Sequence, residues 1–402
     1  KLYYTERQDL KKLIIYTLQK IYKMNFELNE EHLMIRQAAR DFAQNELKDG
    51  VIDRDSKCEY PKIQVKRMAE LGFLGMTVSS KYGGGGMDTI SYALAVEEIS
   101  NIDNSCSVIL SAHNSLACWG IEEYGTEKQK EKFLRPLATG KKIGGFCLSE
   151  PESGSDATQQ KTTAIDKGDH YVLNGVKNWI TNGLKSDIYV VIAQSNSELG
   201  HRGINAFVVE SNTKGISTGP KEDKLGIRSS DTCSVIFQDV IVPKENRLGP
   251  EGFGFKYAMK TLEGGRIGIA AQALGIAQGA YEMALEYSKQ RKTFGKPISQ
   301  HQGIAFKLAD MATDIEAARL LVYKSASNKD RGLEYGYSSS MAKLYASEMA
   351  MKHTVEAVQI HGGNGFVKEY HVERLMRDAK ITQIYEGTSE IQKIIISRKL
   401  LK

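Results

Sequence analysis

The spacing of hydrophobic residues changes twice along this chain, and that change constrains its fold more than any other feature. Between residues 24 and 145, apolar side chains recur at helical intervals, as at Ile35, Ala39 and Phe42. Residues 249–402 return to long helical segments. We therefore predict an N-terminal α-helical domain over residues 24–145 and a C-terminal α-helical bundle over residues 249–402.

The middle of the chain, residues 146–248, has a different pattern. Turn signals such as Asn174-Gly175 and Asn182-Gly183 separate its short β-rich runs, which lie at residues 171–173, 188–193, 206–209 and 235–237. Because no helical pattern alternates with these runs, a small antiparallel barrel fits better than a parallel nucleotide-binding sheet. The predicted fold class is α+β, with a central antiparallel β-barrel between the two helical domains.

The first 23 residues differ from the rest in charge. They hold six of the 54 basic and two of the 49 acidic side chains, so 48 basic and 47 acidic ones remain in residues 24–402. A nearly neutral body implies no general affinity for nucleic acid. The segment begins without Met, lacks the cleavage site of a secretory signal, and carries acids but no serine, unlike a transit peptide. We expect residues 1–23 to be an upstream or non-native extension, with a native extension as the alternative.

No pattern in the sequence predicts a metal site, a disulfide framework or a membrane span. The five cysteines are scattered without CxxC spacing, which is typical of buried thiols in a reducing compartment. The eight histidines show no HExxH or other paired spacing, so we expect no metal. The apolar run at residues 13–16 is far too short to cross a bilayer.

Residues 384–392 place one acid, Glu386, just before a predicted helix start. Ser389 and Gln392 have the S-x-x-Q spacing of a capping box, in which each side chain satisfies a backbone N–H at the helix end. Gly387 permits unusual dihedrals and a close approach of ligand to backbone. A carboxylate beside open N–H groups suits the removal of a proton from a substrate that those groups polarise. Taken alone, the segment is explained more simply by an exposed acid that the helix dipole stabilises.

Two further regions hold residues suited to a ring system or to phosphates. Residues 146–156 form an irregular loop rich in hydroxyls, and Trp179 and Thr181 put a flat face beside a hydroxyl group. Residues 291–302 combine charge, hydroxyl and aromatic groups, and residues 359–365 form a glycine-rich break between helices. Each region also has an ordinary explanation as a surface turn, a core tryptophan or a solvated helix end.

Six motifs, in order along the chain, resemble those of the acyl-CoA dehydrogenase family. They are Ser149-Glu150-Pro151 with Gly154-Ser155-Asp156, Trp179-Ile180-Thr181, Arg291 with Thr293-Phe294-Gly295, Gly362-Gly363-Asn364-Gly365, Arg377-Asp378-Ala379, and Ile384-Tyr385-Glu386-Gly387-Thr388. The resemblance covers residues 26–402. Residues 221–228 and 265–270 favour the short-chain (butyryl-CoA) branch of the family.

The resemblance implies an FAD enzyme that converts a short-chain acyl-CoA to the trans-2-enoyl-CoA. Glu386 matches the family's base, which removes the C2 proton while flavin N5 accepts hydride from C3. The backbone N–H of the base and a flavin ribityl hydroxyl would polarise the thioester carbonyl. Some members carry the base immediately before the arginine that matches Arg266, but here Gly265 occupies that position, so Glu386 stands alone in the role.

The resemblance also assigns binding residues. Those for FAD are Phe146, Cys147, Leu148, Ser149, Gly154, Ser155, Trp179, Ile180, Thr181, Arg291, Thr293, Phe294, Gln302, Gln359, Ile360, His361, Gly362, Gly363, Thr388, Ser389 and Glu390. Those for the acyl-CoA are Ser155, Glu263, Gly264, Gly265, Arg266, Tyr385 and Gly387. Among them Arg291, Gln302 and residues 359–363 would reach the FAD of a neighbouring subunit. Glu152 and Ser153 depart from the family's usual loop, so the hydrogen bonds of that loop stay open.

The partners implied are an electron-transfer flavoprotein and three further copies of this chain, in a homotetramer built as a dimer of dimers, with no nucleic acid or membrane. We expect a cytoplasmic bacterial protein rather than one of the mitochondrial matrix. Medium- or branched-chain substrates, an oxidase that reduces O₂, a non-catalytic flavoprotein of the same fold, and operation as a reductase are the alternatives.

Overall fold

The computed structural model describes residues 27–402. The predicted extension at residues 1–23 lies outside the described residues. Within them, no helix is long and apolar enough to cross a membrane.

The N-terminal part is helical, as predicted. The first helix begins at Asn29, whose side chain accepts a hydrogen bond from the backbone N–H of His32. The helices of this part are α1 (Glu30–Phe42), α2 (Val51–Lys57), α3 (Lys62–Glu70), α4 (Thr89–Ile102), α5 (Asn104–Ala112), α6 (Trp119–Tyr124), α7 (Glu127–Gln129) and α8 (Arg135–Ala138), with π-helical turns at Ala43–Leu47, His113–Cys118 and Lys130–Leu134. Almost every residue of α4 and α5 is buried, so these two helices are enclosed by the others.

The middle part is a sheet of eight strands. They are β1 (Gly144–Cys147), β2 (Thr163–Asp166), β3 (His170–Thr181), β4 (Ile188–Gln194), β5 (Ile204–Glu210), β6 (Ile216–Thr218), β7 (Thr232–Pro243) and β8 (Arg247–Leu248). The order is β6-β7-β3-β2-β4-β5-β8, and β1 pairs with β4 beside this path. Asn182-Gly183 forms a turn after β3, as predicted.

The prediction of a closed antiparallel barrel is wrong. β1 runs parallel to β4 over four residue pairs, from Gly144 with Ile188 to Cys147 with Val191. β1 therefore occupies the edge of β4 along which a continuous barrel would place β2. β2 reaches β4 only through a single parallel bridge. The end strands β6 and β8 have three and two residues and do not pair with each other. The sheet is thus mixed and open.

The prediction of a turn at Asn174-Gly175 is also wrong. Both residues lie inside β3, where the pairing with β7 shifts register between Leu173 and Gly175. The Asn174 side chain donates a hydrogen bond to Asp239 and accepts one from the Asp239 backbone N–H, which holds this irregularity in place. The glycine marks a bulge within a long strand instead of the end of a short one.

Long helices form the C-terminal part, as predicted. They are α9 (Gly254–Gln290), α10 (Gln302–Asp330), α11 (Gly336–His361), α12 (His371–Thr382) and α13 (Ser389–Leu400), with a small hairpin of β9 (Lys292–Thr293) and β10 (Lys296–Pro297) after α9. Helix α9 packs closely on α4, because a Cβ built on Gly275 or Gly279 would lie 2.2 Å or 2.4 Å from a backbone oxygen of α4. One hydrophobic core therefore joins the N-terminal and C-terminal helices.

Candidate active site

Glu386 lies in the tight connection between α12 and α13. Its φ is +52°, in the left-handed region, and the φ of Gly387 is +92°. A left-handed non-glycine residue costs on the order of 1–3 kcal/mol and tends to persist where its surroundings hold it in place. The connection therefore has a defined shape that a flexible surface acid would not have.

The capping box predicted for Ser389 and Gln392 is wrong by one residue. Thr388 is the N-cap of α13, and its hydroxyl accepts from the backbone N–H of Ile391 at 3.3 Å. Ser389 is the first helical residue and donates to Glu348 Oε1 at 2.6 Å. Gln392 turns back instead, and its Nε2 donates to the Gly387 carbonyl at 2.8 Å and to the Glu386 carbonyl at 3.3 Å. The α13 terminus thus serves to hold the loop that carries Glu386.

The Glu386 carboxylate rests against Gly265 of α9. A Cβ built on Gly265 would lie 2.1 Å from Glu386 Oε2 and 2.8 Å from its Cδ, a space that no larger residue leaves open. Although Glu386 as a whole keeps intermediate exposure, its Oε2 is buried and accepts no hydrogen bond from any residue that the structure describes. A buried carboxylate oxygen without a donor calls for an explanation, and a ligand group is the natural one.

Burial raises the pKa of Glu386 to about 7, although the nearby charges of Lys343 and Arg266 oppose the shift. Arg266 is itself buried, which lowers its pKa, and its Nε lacks a hydrogen-bond partner within residues 27–402. Lys343 is buried on α11 and donates to the Gly387 carbonyl at 2.6 Å. The site is a carboxylate tuned toward neutral pH and flanked by two buried cations.

One face of α9 continues this site. Gly265, Gly268 and Gln272 follow the i, i+3, i+7 spacing of a single helix face. A Cβ on Gly268 would lie 2.3 Å from the Tyr92 hydroxyl, which bonds Ser111 Oγ at 2.9 Å. The Tyr385 hydroxyl donates to Gln272 Oε1.

Tyr92, Gln272 and Lys343 were not predicted as site residues. In the sequence, the helical spacing of Gly265 and Gly268 is a signal for the face of α9 on which Gln272 lies and against which Tyr92 packs. Lys343 gives no such signal, because a lysine in a helix is usually exposed.

A second group of predicted residues, in the loop after β1, is held by a buried ion pair. Lys177 Nζ lies 2.7 Å from Glu150 Oε1 and also donates to the Leu148 carbonyl at 3.1 Å. Glu150 and Ser153 exchange backbone hydrogen bonds of 2.9 Å and 3.1 Å, which close the loop. Phe146 and Ser149 keep intermediate exposure, Cys147, Leu148 and Ile180 are buried, and Gly154 and Ser155 are exposed. The departures at Glu152 and Ser153 leave this loop well ordered.

Trp179 follows on β3 with its side chain open. It has a φ of +60° and is 61% exposed, and the neighbouring Thr181 keeps intermediate exposure. An exposed indole on a left-handed residue, beside a rigid loop, is not the core tryptophan that a lone Trp usually indicates. Among the described residues no hydrogen bond or ion pair joins this group to Glu386.

A third group lies at the far end of α9. Arg291 and Gln302 are exposed, Thr293 keeps intermediate exposure, and Phe294 is 96% exposed. The rings of Tyr287 and His361 stack with centroids 4.3 Å apart, which places Ile360, His361 and the exposed Gln359, Gly362 and Gly363 at the same end. From Gly265 to the end of α9 at Gln290 the helix rises about 38 Å. The structure therefore separates this group from Glu386.

A surface groove at the start of α9 was missed by the sequence analysis. It has a volume of about 430 Å³ and is lined by His201, Arg202, Gly252, Phe253, Phe255, Lys256 and Met259. Two cations and two phenylalanines suit an anionic group attached to a flat ring. No sequence signal joins them, because Arg202 and Lys256 lie on separate elements. Glu263, Gly264 and Arg266 follow the groove along α9.

Comparison with protein families gives one result for all three parts of the chain. Residues 29–141, 145–240 and 252–401 match the N-terminal, middle and C-terminal domains of acyl-CoA dehydrogenase. A short-chain specific acyl-CoA dehydrogenase of Clostridium acetobutylicum is 51% identical over 379 residues, which cover 94% of this chain and 100% of that protein.

Two further relatives agree. The structure of butyryl-CoA dehydrogenase from Megasphaera elsdenii matches with a TM-score of 0.93 and 50% identity, over 94% of this chain and 100% of that one. Subunit CarC of the caffeyl-CoA reductase-Etf complex of Acetobacterium woodii is 47% identical over 93% of this chain and 99% of that protein. The chain belongs to the acyl-CoA dehydrogenase family.

Proposed function

We propose that this chain catalyses the FAD-dependent α,β-dehydrogenation of a short-chain acyl-CoA, with Glu386 as the base. The observation that carries the proposal is the buried, unpartnered Oε2 of Glu386 in the space that Gly265 leaves open. The short-chain specific and butyryl-CoA relatives, about half identical over nearly the whole chain, support the substrate class.

Glu386 takes the proton from C2 of the acyl group. A C–H next to a thioester is a very weak acid, so the base gains from a pKa brought up to about 7 and the carbonyl needs polarisation. The backbone N–H of Glu386 donates no hydrogen bond to any other described residue, which leaves it available to the thioester oxygen. Tyr385 and Gly387 flank the base and shape the same tight loop.

The residues present fit FAD. The open indole of Trp179 offers a flat surface, and the loop that the Lys177–Glu150 pair holds rigid offers backbone and hydroxyl donors at Ser149 and Ser155. When bound, FAD supplies the acceptor for the hydride from C3. Thr388, Ser389 and Glu390 lie beside the base, where they would complete the cofactor site.

We assign the groove at the start of α9 to the nucleotide end of coenzyme A. Arg202 and Lys256 would hold its phosphates, and the phenylalanines would contact the adenine. From Phe253, the N-cap of α9, to Gly265 the helix rises about 18 Å, which leaves room for an extended pantetheine arm to reach the base. Glu263, Gly264 and Arg266 lie along this path.

The third group of residues would serve the cofactor of another subunit. About 38 Å of α9 lies between Gly265 and this group, so it is placed to act across an interface. The almost fully exposed Phe294 has the character of an interface residue. We therefore infer a homotetramer, and we place it in the cytoplasm. We also infer that it passes electrons to an electron-transfer flavoprotein, in line with the Etf-complex name of the CarC relative.

The proposed function is tested by an anaerobic titration of the purified holoprotein. Butyryl-CoA is added while the flavin absorbance is followed, and longer and branched acyl-CoAs are then compared. Rapid bleaching by butyryl-CoA is the expected result. A yellow protein that no acyl-CoA bleaches would favour the non-catalytic alternative, and faster bleaching by octanoyl- or isovaleryl-CoA would correct the substrate class.

Replacing Gly265 by alanine should lower kcat about 100-fold while the thermal midpoint stays close to that of the parent. The new methyl group would lie 2.1 Å from Glu386 Oε2 and 2.9 Å from Leu116 Cδ2, and both are ends of side chains, which move at little cost. A base displaced by about 1 Å loses on the order of 10²-fold in rate.

Gly275→Ala is the matched control. Its methyl would meet the Glu97 carbonyl, a backbone atom of α4, so this variant should lose thermal stability instead. Equal kcat for Gly265→Ala and the parent protein would contradict the placement of the base.

A further inference from the structure

Lys343 is an unusual lysine. It lies about two turns into α11, is 0% exposed, and its Nζ donates to the Gly387 carbonyl at 2.6 Å. No carboxylate of the described chain forms an ion pair with it. Burial of an ammonium group without an ion-pair partner is costly, so a protein keeps such a group only where it is useful.

The lysine acts on the loop of the base. Gly387 follows Glu386 directly, and both residues have left-handed φ angles of +92° and +52°. Two donors hold the Gly387 carbonyl, the charged Nζ of Lys343 and the neutral Nε2 of Gln392 at 2.8 Å. Their hydrogen bonds fix the direction of the Gly387–Thr388 peptide group, and Gln392 Nε2 also donates to the Glu386 carbonyl at 3.3 Å. The turn that carries the Glu386 carboxylate against Gly265 is therefore held by both side chains.

We propose that Lys343 is the positioning residue of the base: through its hydrogen bond to the Gly387 carbonyl, its buried ammonium group holds the Glu386–Gly387 turn and places a positive charge beside the base. The inference rests on the proposed function, since it takes Glu386 as the base. It assigns separate roles to the two donors, with Lys343 contributing charge and geometry and Gln392 contributing geometry alone.

The other groups around Glu386 leave this role to Lys343. Arg266 on α9 is a second buried cation beside Glu386, but within residues 27–402 it donates no hydrogen bond to the Glu386–Gly387 turn. Tyr92 on α4 and Tyr385 in the loop have pKa values raised by burial and stay neutral. Glu348 and Glu390 interact with Lys343 and raise its pKa.

Burial lowers the pKa of Lys343 to about 8 in spite of these acids, so it is charged at the pH where Glu386, with a pKa of about 7, loses its proton. The wild-type profile of kcat/KM should therefore rise with pH through about 7. Loss of a positive neighbour favours the protonated carboxyl and raises its pKa, so the acid limb should move to higher pH.

The test compares Lys343→Met and Lys343→Gln with Gln392→Met in the holoprotein. Both Lys343 variants should shift the acid limb upward by about one pH unit, which lowers kcat/KM about tenfold at pH values below the limb. Gln392→Met should lower the rate at all pH values and leave the limb in place. Because one donor to the Gly387 carbonyl remains in every variant, all three should keep the thermal midpoint of a folded protein.

A second readout does not depend on turnover. Infrared difference spectra taken across the pH range follow the protonated carboxyl band of Glu386, identified as the band that Glu386→Gln removes. This band should persist to higher pH in the Lys343 variants. An unmoved acid limb and band in both variants would overturn the role of Lys343, whereas a Glu386→Gln variant that still turned over butyryl-CoA would overturn the base assignment itself.

Discussion

Glu386→Gln should lower the rate of flavin reduction by butyryl-CoA about 10⁴-fold. A positioned base contributes up to about 10⁴-fold, and glutamine keeps the size and shape of the side chain but cannot accept the proton. Gly265 stands at the position before Arg266 from which some relatives of the family supply the base, so this chain offers no second carboxylate there. The measurement is stopped-flow flavin reduction under anaerobic conditions.

Retention of the flavin and the fold separates this result from a collapsed site. The yellow absorbance and the affinity for a non-reacting acyl-CoA analogue should match those of the parent protein. Glu316→Gln, which removes an exposed acid of α10, is the control for loss of one carboxylate. If Glu386→Gln kept more than about a tenth of the parent rate, the base would have to lie elsewhere.

The same variant should be more stable than the parent protein above pH 7. Burial raises the pKa of Glu386 from 4.5 in the unfolded chain to about 7, so the folded state binds the proton more tightly. This contribution favours folding and is fully present below pH 4.5. It is lost between about 4.5 and 7, because the unfolded chain ionises there while the folded chain still holds its proton. Above about 7 the folded chain must ionise a buried group. Glutamine avoids that loss, so its thermal midpoint at pH 8 should exceed that of the parent.

Much of the helical architecture was predictable because helical periodicity is local. The helices of residues 24–145 and 249–402 were predicted from it, and α13 does begin just after Glu386. The sheet was not predictable in the same way. Whether it closes depends on β1 taking the edge of β4, and these two strands are about 40 residues apart in the sequence. Pairing over that distance leaves no mark on the local pattern.

In the candidate site, too, local features were predictable from the sequence and contacts between distant segments were not. Glu386 was found through the residues next to it, whereas its neighbours Gly265 and Lys343 come from two other helices. The cap was misplaced because Thr388 and Ser389 both offer a hydroxyl, and the glutamine that favoured Ser389 binds the base loop instead. Short motifs singled out Glu386, the proposed base, and only the fold revealed what surrounds it.

Lys177→Met should lower the free energy of unfolding by about 3–5 kcal/mol, because it leaves the buried carboxylate of Glu150 without its partner. The two side chains are 0% and 1% exposed, with Nζ and Oε1 2.7 Å apart. Burial alone would raise the pKa of Glu150, but the charge and hydrogen bond of Lys177, together with the backbone N–H groups of Lys161 and Thr162, outweigh it and hold that pKa below its ordinary value.

The measurement is urea unfolding of the holoprotein at pH 7, together with its flavin content. The double variant Glu150→Gln/Lys177→Met should recover part of the stability, because it removes the uncompensated charge, although the Leu148 carbonyl still lacks its donor. A drop of less than about 1 kcal/mol in the single variant would contradict the role of the pair as the anchor of the loop. Since Ser149 and Ser155 belong to that loop, the flavin content should fall in the single variant and rise again in the double one.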